Sequence, residues 1–371
     1  MMPQTTSTPR KNICFFCGDV TRCGGAEKVA VTIANMLHGE GRYRVFFLSL
    51  TEGAGEPFFP LEPGIDRYRL GQKWIRPGPG YLKVIPKLRR FLKERDVDVI
   101  IDVDIVLDCL AIPAAKGQKT KVISWEHFNY QFEQSSAYRR LIQKYSVKRS
   151  DYIVTLTQAD REQYEQHFGR AERIRAIYNP IEDAHFDPGL AKEKWLITVG
   201  RLAEEKGLDH LVQVADTVLH KHPDWQWILL GEGERRTFLE EEIHARHLEN
   251  RLILKGNVRD VGSYLQRARI YVMTSRIEGF GVCLLEAKAY GLPCVAFDVP
   301  TGPAELISDG INGFLVPAFE LEEMGAKIGR LMEDEALRER FSRIAGLGTE
   351  RCRGEYILPQ WNQVIAEVCG E

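Results

Sequence analysis

A chain of 371 residues, 44% apolar and 27% charged, has the composition of a soluble globular protein and the length for two sizeable cores. No apolar run approaches the ~20 residues that span a bilayer, and the N-terminal MMPQTTSTPRKN lacks the apolar core of a secretory signal. The expected location is therefore the cytoplasm. The net charge of −2 hides an asymmetry: residues 1–180 carry 28 Lys and Arg against 20 Asp and Glu (+8), and residues 181–371 carry 22 against 32 (−10). The basic half is expected to meet an anionic surface; no nucleic-acid partner is expected.

In chain order, strand-like apolar runs fall at 13–16, 45–50, 97–103, 122–125, 152–156 and 174–178, with helical segments such as 27–38 and 81–93 between them. Cys14-Phe-Phe-Cys17 has redox spacing but reads as a strand interior, and no second pair completes a zinc site. Segments 53–63 and 76–80 are Gly/Pro-rich loops. Segment 81–93 places Leu82, Ile85, Leu88, Phe91 and Leu92 near helical spacing, among the cations Lys83, Lys87, Arg89, Arg90 and Lys93. A second basic cluster holds Arg139, Arg140, Lys144, Lys148 and Arg149. Both fit either solvated basic faces or a peripheral contact with anionic lipid. Asp102-Val103-Asp104 ends a strand and has the spacing of a metal-binding pair. Asn179-Pro180-Ile181 opens a polar stretch to Asp187-Pro188 and reads as a hinge. Beyond it the rhythm repeats at 195–199, 225–230, 252–254, 270–274 and 294–297. Strands alternating with helices imply parallel sheets, and two such series imply two doubly wound α/β domains.

Four loops of the second series stand at strand ends, where open parallel sheets bind ligands. Gly200-Arg201-Leu202 with Lys206-Gly207 offers two cations to a phosphate, Arg as a planar fork and Lys as a point charge; an ordinary solvated loop fits equally. Gly231-Glu232-Gly233 is a tight turn lacking the third glycine of a dinucleotide fingerprint, since Arg236 occupies its place. Lys255-Gly256-Asn257-Val258 is a short loop that says little alone. Ser275–Gly281 brackets a Gly-Phe-Gly turn ahead of a helix, whose N-terminal N–H groups form an anion site. Glu278 precedes that turn, and Glu286 lies one helical turn in, able to accept two hydrogen bonds from a vicinal diol. A dipole-favoured loop acid and a buried ion pair are the bland readings of the same two residues.

Gly200-Arg201-Leu202 with Lys206-Gly207, Glu278-x7-Glu286, Pro303-Ala304-Glu305-Leu306 and Asn312-Gly313-Phe314-Leu315-Val316, in this order, resemble the retaining glycosyltransferases of family 4 (GT4). Gly24-Gly25-Ala26-Glu27 and Glu126-His127 resemble that family's N-terminal glycine loop and cleft histidine. The resemblance implies the GT-B fold, two Rossmann-like α/β domains facing across a cleft. The expected division is 1–181 on the acceptor side, 182–353 binding the nucleotide sugar, and a C-terminal helix within 354–371 returning to the first domain. It implies His127, Glu278, Arg201 and Lys206 as catalytic groups. Gly24, Gly25, Gly231, Val258, Gly279, Phe280, Gly281, Val282 and Glu286 would join Arg201, Lys206 and Glu278 around the donor. Arg201 and Lys206 would neutralise the diphosphate in place of a metal ion, Glu286 would hold the ribose, and Glu278 a hydroxyl of the transferred sugar. Asp102 and Asp104 then read as loop acids rather than metal ligands. Many relatives carry Gly-Gly before the Pro-Glu of the later loop, where this chain has Pro300-Thr301-Gly302-Pro303-Ala304-Glu305. That variant resembles bacterial polysaccharide-assembly enzymes using UDP-hexoses. The expectation is a metal- and cofactor-independent retaining transferase moving a hexose from a UDP-sugar to a growing, lipid-linked glycan in bacterial surface polysaccharide synthesis. A same-fold nucleotide-sugar epimerase and a GDP-mannose-dependent mannosyltransferase are the alternatives.

Overall fold

The computed structural model describes residues 10–371 apart from 54, 73–78, 170 and 188. The first nine residues, parts of the loops 53–63 and 76–80, and Pro188 at the end of the hinge stretch lie outside the described residues. The chain divides into two compact units, Met1–Pro180 with Gly354–Glu371, and Ile181–Arg353.

The first unit is built on seven strands: β1 (Lys11–Cys17), β2 (Tyr43–Thr51), β3 (Asp66–Gly71), β4 (Val99–Val103), β5 (Lys121–Trp125), β6 (Tyr152–Thr155) and β7 (Ile174–Ala176). Their order is β3-β2-β1-β4-β5-β6-β7 and every pairing is parallel. A parallel sheet is covered by helices on both faces, so its inner strands read as near-continuous apolar runs. Ile13, Phe15, Val99 and Ile101 are accordingly fully buried. Strand β3, DRYRLG, carries no such run: it is an edge strand with half-exposed and exposed charges, the composition that protects an edge from stray pairing. None of the eight cysteines is in a disulfide, and Cys14 and Cys17 are buried within β1.

Helix Pro79–Glu94 buries Val84, Leu88 and Leu92. This corrects the expected apolar face, because Leu82 is 71% exposed and Val84 takes the inward position. The helix Gly354–Cys369 belongs to this first unit. Trp361 is buried edge-on against Trp125, with ring centroids 4.7 Å apart. Asn362 donates to the Glu40 carboxylate, and Arg175 pairs with Glu367 at 3.1 Å.

The second unit has six strands: β8 (Trp195–Val199), β9 (Gln226–Leu230), β10 (Leu252–Gly256), β11 (Ile270–Met273), β12 (Cys294–Asp298) and β13 (Gly313–Pro317). They run parallel in the order β10-β9-β8-β11-β12-β13. Strand β13 is the stretch that the sequence marked only as a motif; Asn312 before it is fully buried, accepting from Ser308 N–H at 2.9 Å and donating to the Leu347 carbonyl at 3.2 Å. Parallel pairing puts the loops after β8, β9, β11 and β12 on one edge of this sheet. The loop after β10 begins at the same edge.

Candidate active site

Along that edge the loop after β8 meets the loop after β11. Lys206 Nζ lies 2.7 Å from Glu278 Oε1, and Ser275 Oγ donates to the same oxygen at 2.6 Å. Glu278 is only 7% exposed, and a buried carboxylate requires such donors. Burial alone would lower the Lys206 pKa, but the Glu278 charge and hydrogen bond outweigh it and raise the value. Thr301 Oγ1 donates to the Glu278 carbonyl, so the Pro-Thr-Gly-Pro loop braces the carboxylate-bearing segment through its backbone. Gly200, Arg201, Lys206, Tyr271, Ser275 and Glu278 line a common small cavity. Arg201 is over half exposed and pairs with Glu205, four residues on in the same loop.

Helix Val282–Ala289 begins directly after the turn, capped by Gly281 at φ 90°. Only glycine holds that left-handed conformation at little cost. Phe280, 1% exposed, anchors the turn in the core. The first N–H groups of such a helix have no intrahelical acceptors and carry the positive end of its dipole. Glu286 lies on this helix, half-buried. Gly231 has a structural reason to be glycine: at φ 136°, a side chain there would run into the Gly200 carbonyl. The Gly231-Glu232-Gly233 turn is thereby laid against the loop after β8, with Leu202 N–H donating to the Glu232 carbonyl at 2.9 Å. Val258 is half-buried in the loop after β10.

The sequence did not single out Tyr271, Ser275, Arg276 or Glu205. Tyr271 is fully buried on β11, and among the described residues its hydroxyl has no hydrogen-bond partner. Ser275 and Arg276 sit within the quoted stretch, but their partners are 3 and about 70 residues away. A wider groove between helices Leu208–Lys221 and Leu321–Glu333 lies in the helical layer, lined by His222, 3.5 Å from Glu333, and by Arg246, which pairs with Asp216 at 3.7 Å.

In the first unit, Gly24 caps helix Gly25–Gly39, and a side chain at Gly24 would strike the Glu27 carboxylate. Burial raises the Glu27 pKa. His127 follows β5 with its ring 4.4 Å from that of Trp125. Burial lowers its pKa to about 3, so the imidazole is neutral, and its Nε2 has no partner among the described residues. The neighbouring Glu126 is fully buried, accepting from Tyr164 Oη at 2.6 Å and from Phe128 N–H at 2.9 Å. Asp102 is not the loop acid expected. It is the fourth residue of β4 and fully buried, and burial, then the Asp108 carboxylate, raise its pKa well above the usual range. Asp104 does follow the strand, at φ 99°, with its carboxylate accepting from Val106 N–H at 3.2 Å. Among the described residues, no three His, Cys, Asp or Glu side chains are grouped to hold a metal ion.

The family model described as glycosyl transferases group 1 matches residues 180–346, and that of Glycosyltransferase Family 4 matches 23–185. An uncharacterized glycosyltransferase of Haemophilus influenzae is 31% identical over 96% of this chain and 100% of its own length. A GalNAc-alpha-(1->4)-GalNAc-alpha-(1->3)-diNAcBac-PP-undecaprenol alpha-1,4-N-acetyl-D-galactosaminyltransferase of Campylobacter jejuni is 25% identical over 93% of this chain and 96% of its own. The fold is shared with Staphylococcus aureus TarM, solved as a G117R mutant in complex with Fondaparinux, alpha-GlcNAc-glycerol and UDP. Its TM-score is 0.82 at 16% identity, covering 96% of this chain and 99% of that one.

Proposed function

We propose, for a chain that belongs to glycosyltransferase family 4, that it moves a hexose from a UDP-sugar to a hydroxyl of a growing bacterial surface glycan, with retention of configuration and without a metal ion. The observation that carries this reading is the meeting of Lys206, Arg201, Glu278 and the N-terminus of helix Val282–Ala289 at one strand-end edge. In the reaction the bond from the sugar C1 to the diphosphate oxygen breaks, and a bond from C1 to the acceptor oxygen forms on the same face. The departing phosphate oxygen takes the acceptor proton. No carboxylate nucleophile is required, unlike a retaining glycosidase.

Negative charge accumulates on the leaving diphosphate, and stabilising it is the largest task of the protein. An ammonium has three N–H donors, so Lys206 can keep its bond to Glu278 and still donate to a phosphate. Arg201 must exchange Glu205 for the diphosphate, and the helix N-terminus adds backbone N–H groups. Glu286 holds the ribose diol, with Val258 near the base. Glu278, oriented by Ser275 and Lys206, accepts from a hydroxyl of the sugar. In the first unit His127, held neutral by burial, is a hydrogen-bonding group without charge, and Gly24 and Gly25 present backbone with no side chain in the way.

The likeness to TarM, solved with UDP, supports the uridine donor. A thermal-shift screen of UDP- and GDP-sugars tests it: a UDP-sugar should raise the melting temperature most. Transfer to acceptor should survive excess EDTA. Preference for GDP-mannose, conversion of a free UDP-sugar to its epimer, or a chelator block relieved by manganese would each overturn the corresponding part.

The Campylobacter relative names an undecaprenol-linked glycan, which supports a lipid-linked acceptor here and a protein peripheral to an anionic membrane. Among the described residues, no helix is long and apolar enough to cross a membrane. Of the cations expected on helix Pro79–Glu94, Arg89 is engaged with the Ala114 and Lys116 carbonyls, and Arg90 with Glu94. Exposed Lys83 and Lys87 beside Leu82, with exposed Lys144 and Lys148 beside Leu141 on helix Ala137–Arg149, are the better lipid-facing set. Each basic residue contributes about 1 kcal/mol near anionic lipid. Replacing these four lysines by Ser should abolish low-salt sedimentation with phosphatidylglycerol vesicles while sparing a soluble acceptor's turnover; a wild type that never sediments removes the membrane from the reading.

A further inference from the structure

We infer that Arg276 is a positioning residue, a clamp that sets the phosphate-site loop against the Glu278 loop; this rests on the donor reading above. Its guanidinium donates from Nη1 to the Glu204 carbonyl at 3.1 Å and from Nη2 to Asp209 Oδ2 at 2.6 Å, and its Nη2 lies 3.3 Å from His210 Nε2. Its backbone N–H donates to the Glu205 carbonyl at 2.8 Å. One residue therefore holds the first two residues of the short turn Glu204–Lys206 and the first turn of helix Leu208–Lys221, while standing two positions before Glu278. Thr274 adds a parallel tie, its Oγ1 donating to the Lys206 carbonyl at 3.2 Å, and Gly207 is pressed against the Thr274 carbonyl at φ 59°.

A planar fork that binds a carbonyl and a carboxylate together fixes direction as well as distance, which an ammonium cannot reproduce. The charge of Arg276 is spent locally: its hydrogen bond lowers the Asp209 pKa, which keeps that partner ionised at working pH. The function left to Arg276 is to fix where Lys206 and Arg201 stand relative to Glu278. Misplacement of about 1 Å in such a constellation costs on the order of a hundredfold in rate.

The test compares wild type, Arg276→Gln, Arg276→Lys and Asp209→Asn for UDP affinity by calorimetry, for donor and acceptor kinetics, and for melting temperature. Arg276→Gln should weaken UDP binding and donor kcat/KM roughly tenfold to a hundredfold, with acceptor KM unchanged. Arg276→Lys should restore only part, and combining Arg276→Gln with Asp209→Asn should cost no more than Arg276→Gln alone. Wild-type UDP affinity in Arg276→Gln, or in Asp209→Asn should the Arg276 variants not fold, overturns the clamp. A melting-temperature loss with unchanged donor kcat/KM does the same. A wild type that binds no nucleoside diphosphate overturns the donor reading and the clamp with it.

Discussion

At Glu278 two requirements meet under the proposed reading: the buried carboxylate must find hydrogen-bond donors, and it must hold Lys206 without taking it from the diphosphate. Ser275 and Lys206 satisfy the first by donating to one oxygen. Glu278→Gln keeps an acceptor but removes the charge, so it should lower turnover ten- to hundredfold, a lost charged hydrogen bond being worth about 1.5–3 kcal/mol. UDP affinity should fall much less. Glu286→Gln should show the reverse split, and steady-state kinetics with UDP calorimetry checks both; near-normal turnover in Glu278→Gln would sink the assignment. Asp160 in the first unit behaves differently. It is 1% exposed, accepts from Tyr130 N–H at 2.6 Å, and burial pushes its pKa up to about 7. The folded state therefore holds a proton that the unfolded state has already lost between pH ~4 and ~7. The stability contributed by this group falls as pH rises through that window and is flat above it. Asp160→Asn keeps the acceptor and cannot ionise, so its melting temperature relative to wild type should climb between pH 5 and pH 8. The driving force is about 1.4 kcal/mol per tenfold in the ionisation constant. Parallel melting curves at the two pH values would count against it. The strand-end cations and Glu278 were legible in the sequence because a glycine, a charge and a preceding apolar run are neighbours in the chain. Asp102 was misread because local pattern does not reveal that a polar residue ending an apolar run faces Asp108 and the core.

Helix Val282–Ala289 carries the proposed anion site, and it also buries Lys288. That side chain is 1% exposed, and its ammonium has no hydrogen-bond partner among the described residues. Burial lowers its pKa, with Cys294 and Glu350 opposing. For a lysine with a lowered pKa the unfolded state binds the extra proton, so stability rises with pH toward 10.5 and is lost as pH falls. Lys288→Met fills similar space without charge and should raise the melting temperature, by about 1–3 kcal/mol of stability, most at acidic pH and least near pH 10. A decrease, measured by calorimetry across that range, would mean that Lys288 has a role in holding the helix. The elements themselves were largely readable: β8 spans the run seen in the sequence, and the apolar runs at 13–16 and 45–50 are the centres of β1 and β2. Strand β3 was not readable, since its half-exposed charges resemble a loop until β2 supplies its hydrogen bonds.

For the whole molecule, the last helix matters more than its place in the chain suggests. Trp361, Ile357, Val364 and Ile365 are buried in the first unit, so residues at the far end of the sequence complete a core begun at residue 11. Trp361→Ala opens a cavity against Trp125 and should cost about 3–5 kcal/mol. Calorimetry should then show the first unit melting earlier, with the heat of the second unit unmoved. A single unshifted transition would show that this packing contributes little.

The sequence by itself determined two parallel α/β units, their approximate division, and the loops that hold Arg201, Lys206, Glu278 and the helix N-terminus. It could do so because apolar period, glycine turns and strand-end position are local properties. Only the tertiary structure decided that Lys206 pairs with Glu278 across 72 positions, that Arg276 reaches back 67 to Asp209, that Thr301 braces Glu278, and that Lys288 and Asp102 are inside. Each of those depends on which strands lie side by side, and a β11 inserted next to β8 rather than β10 is a choice made by the packing of whole sheets.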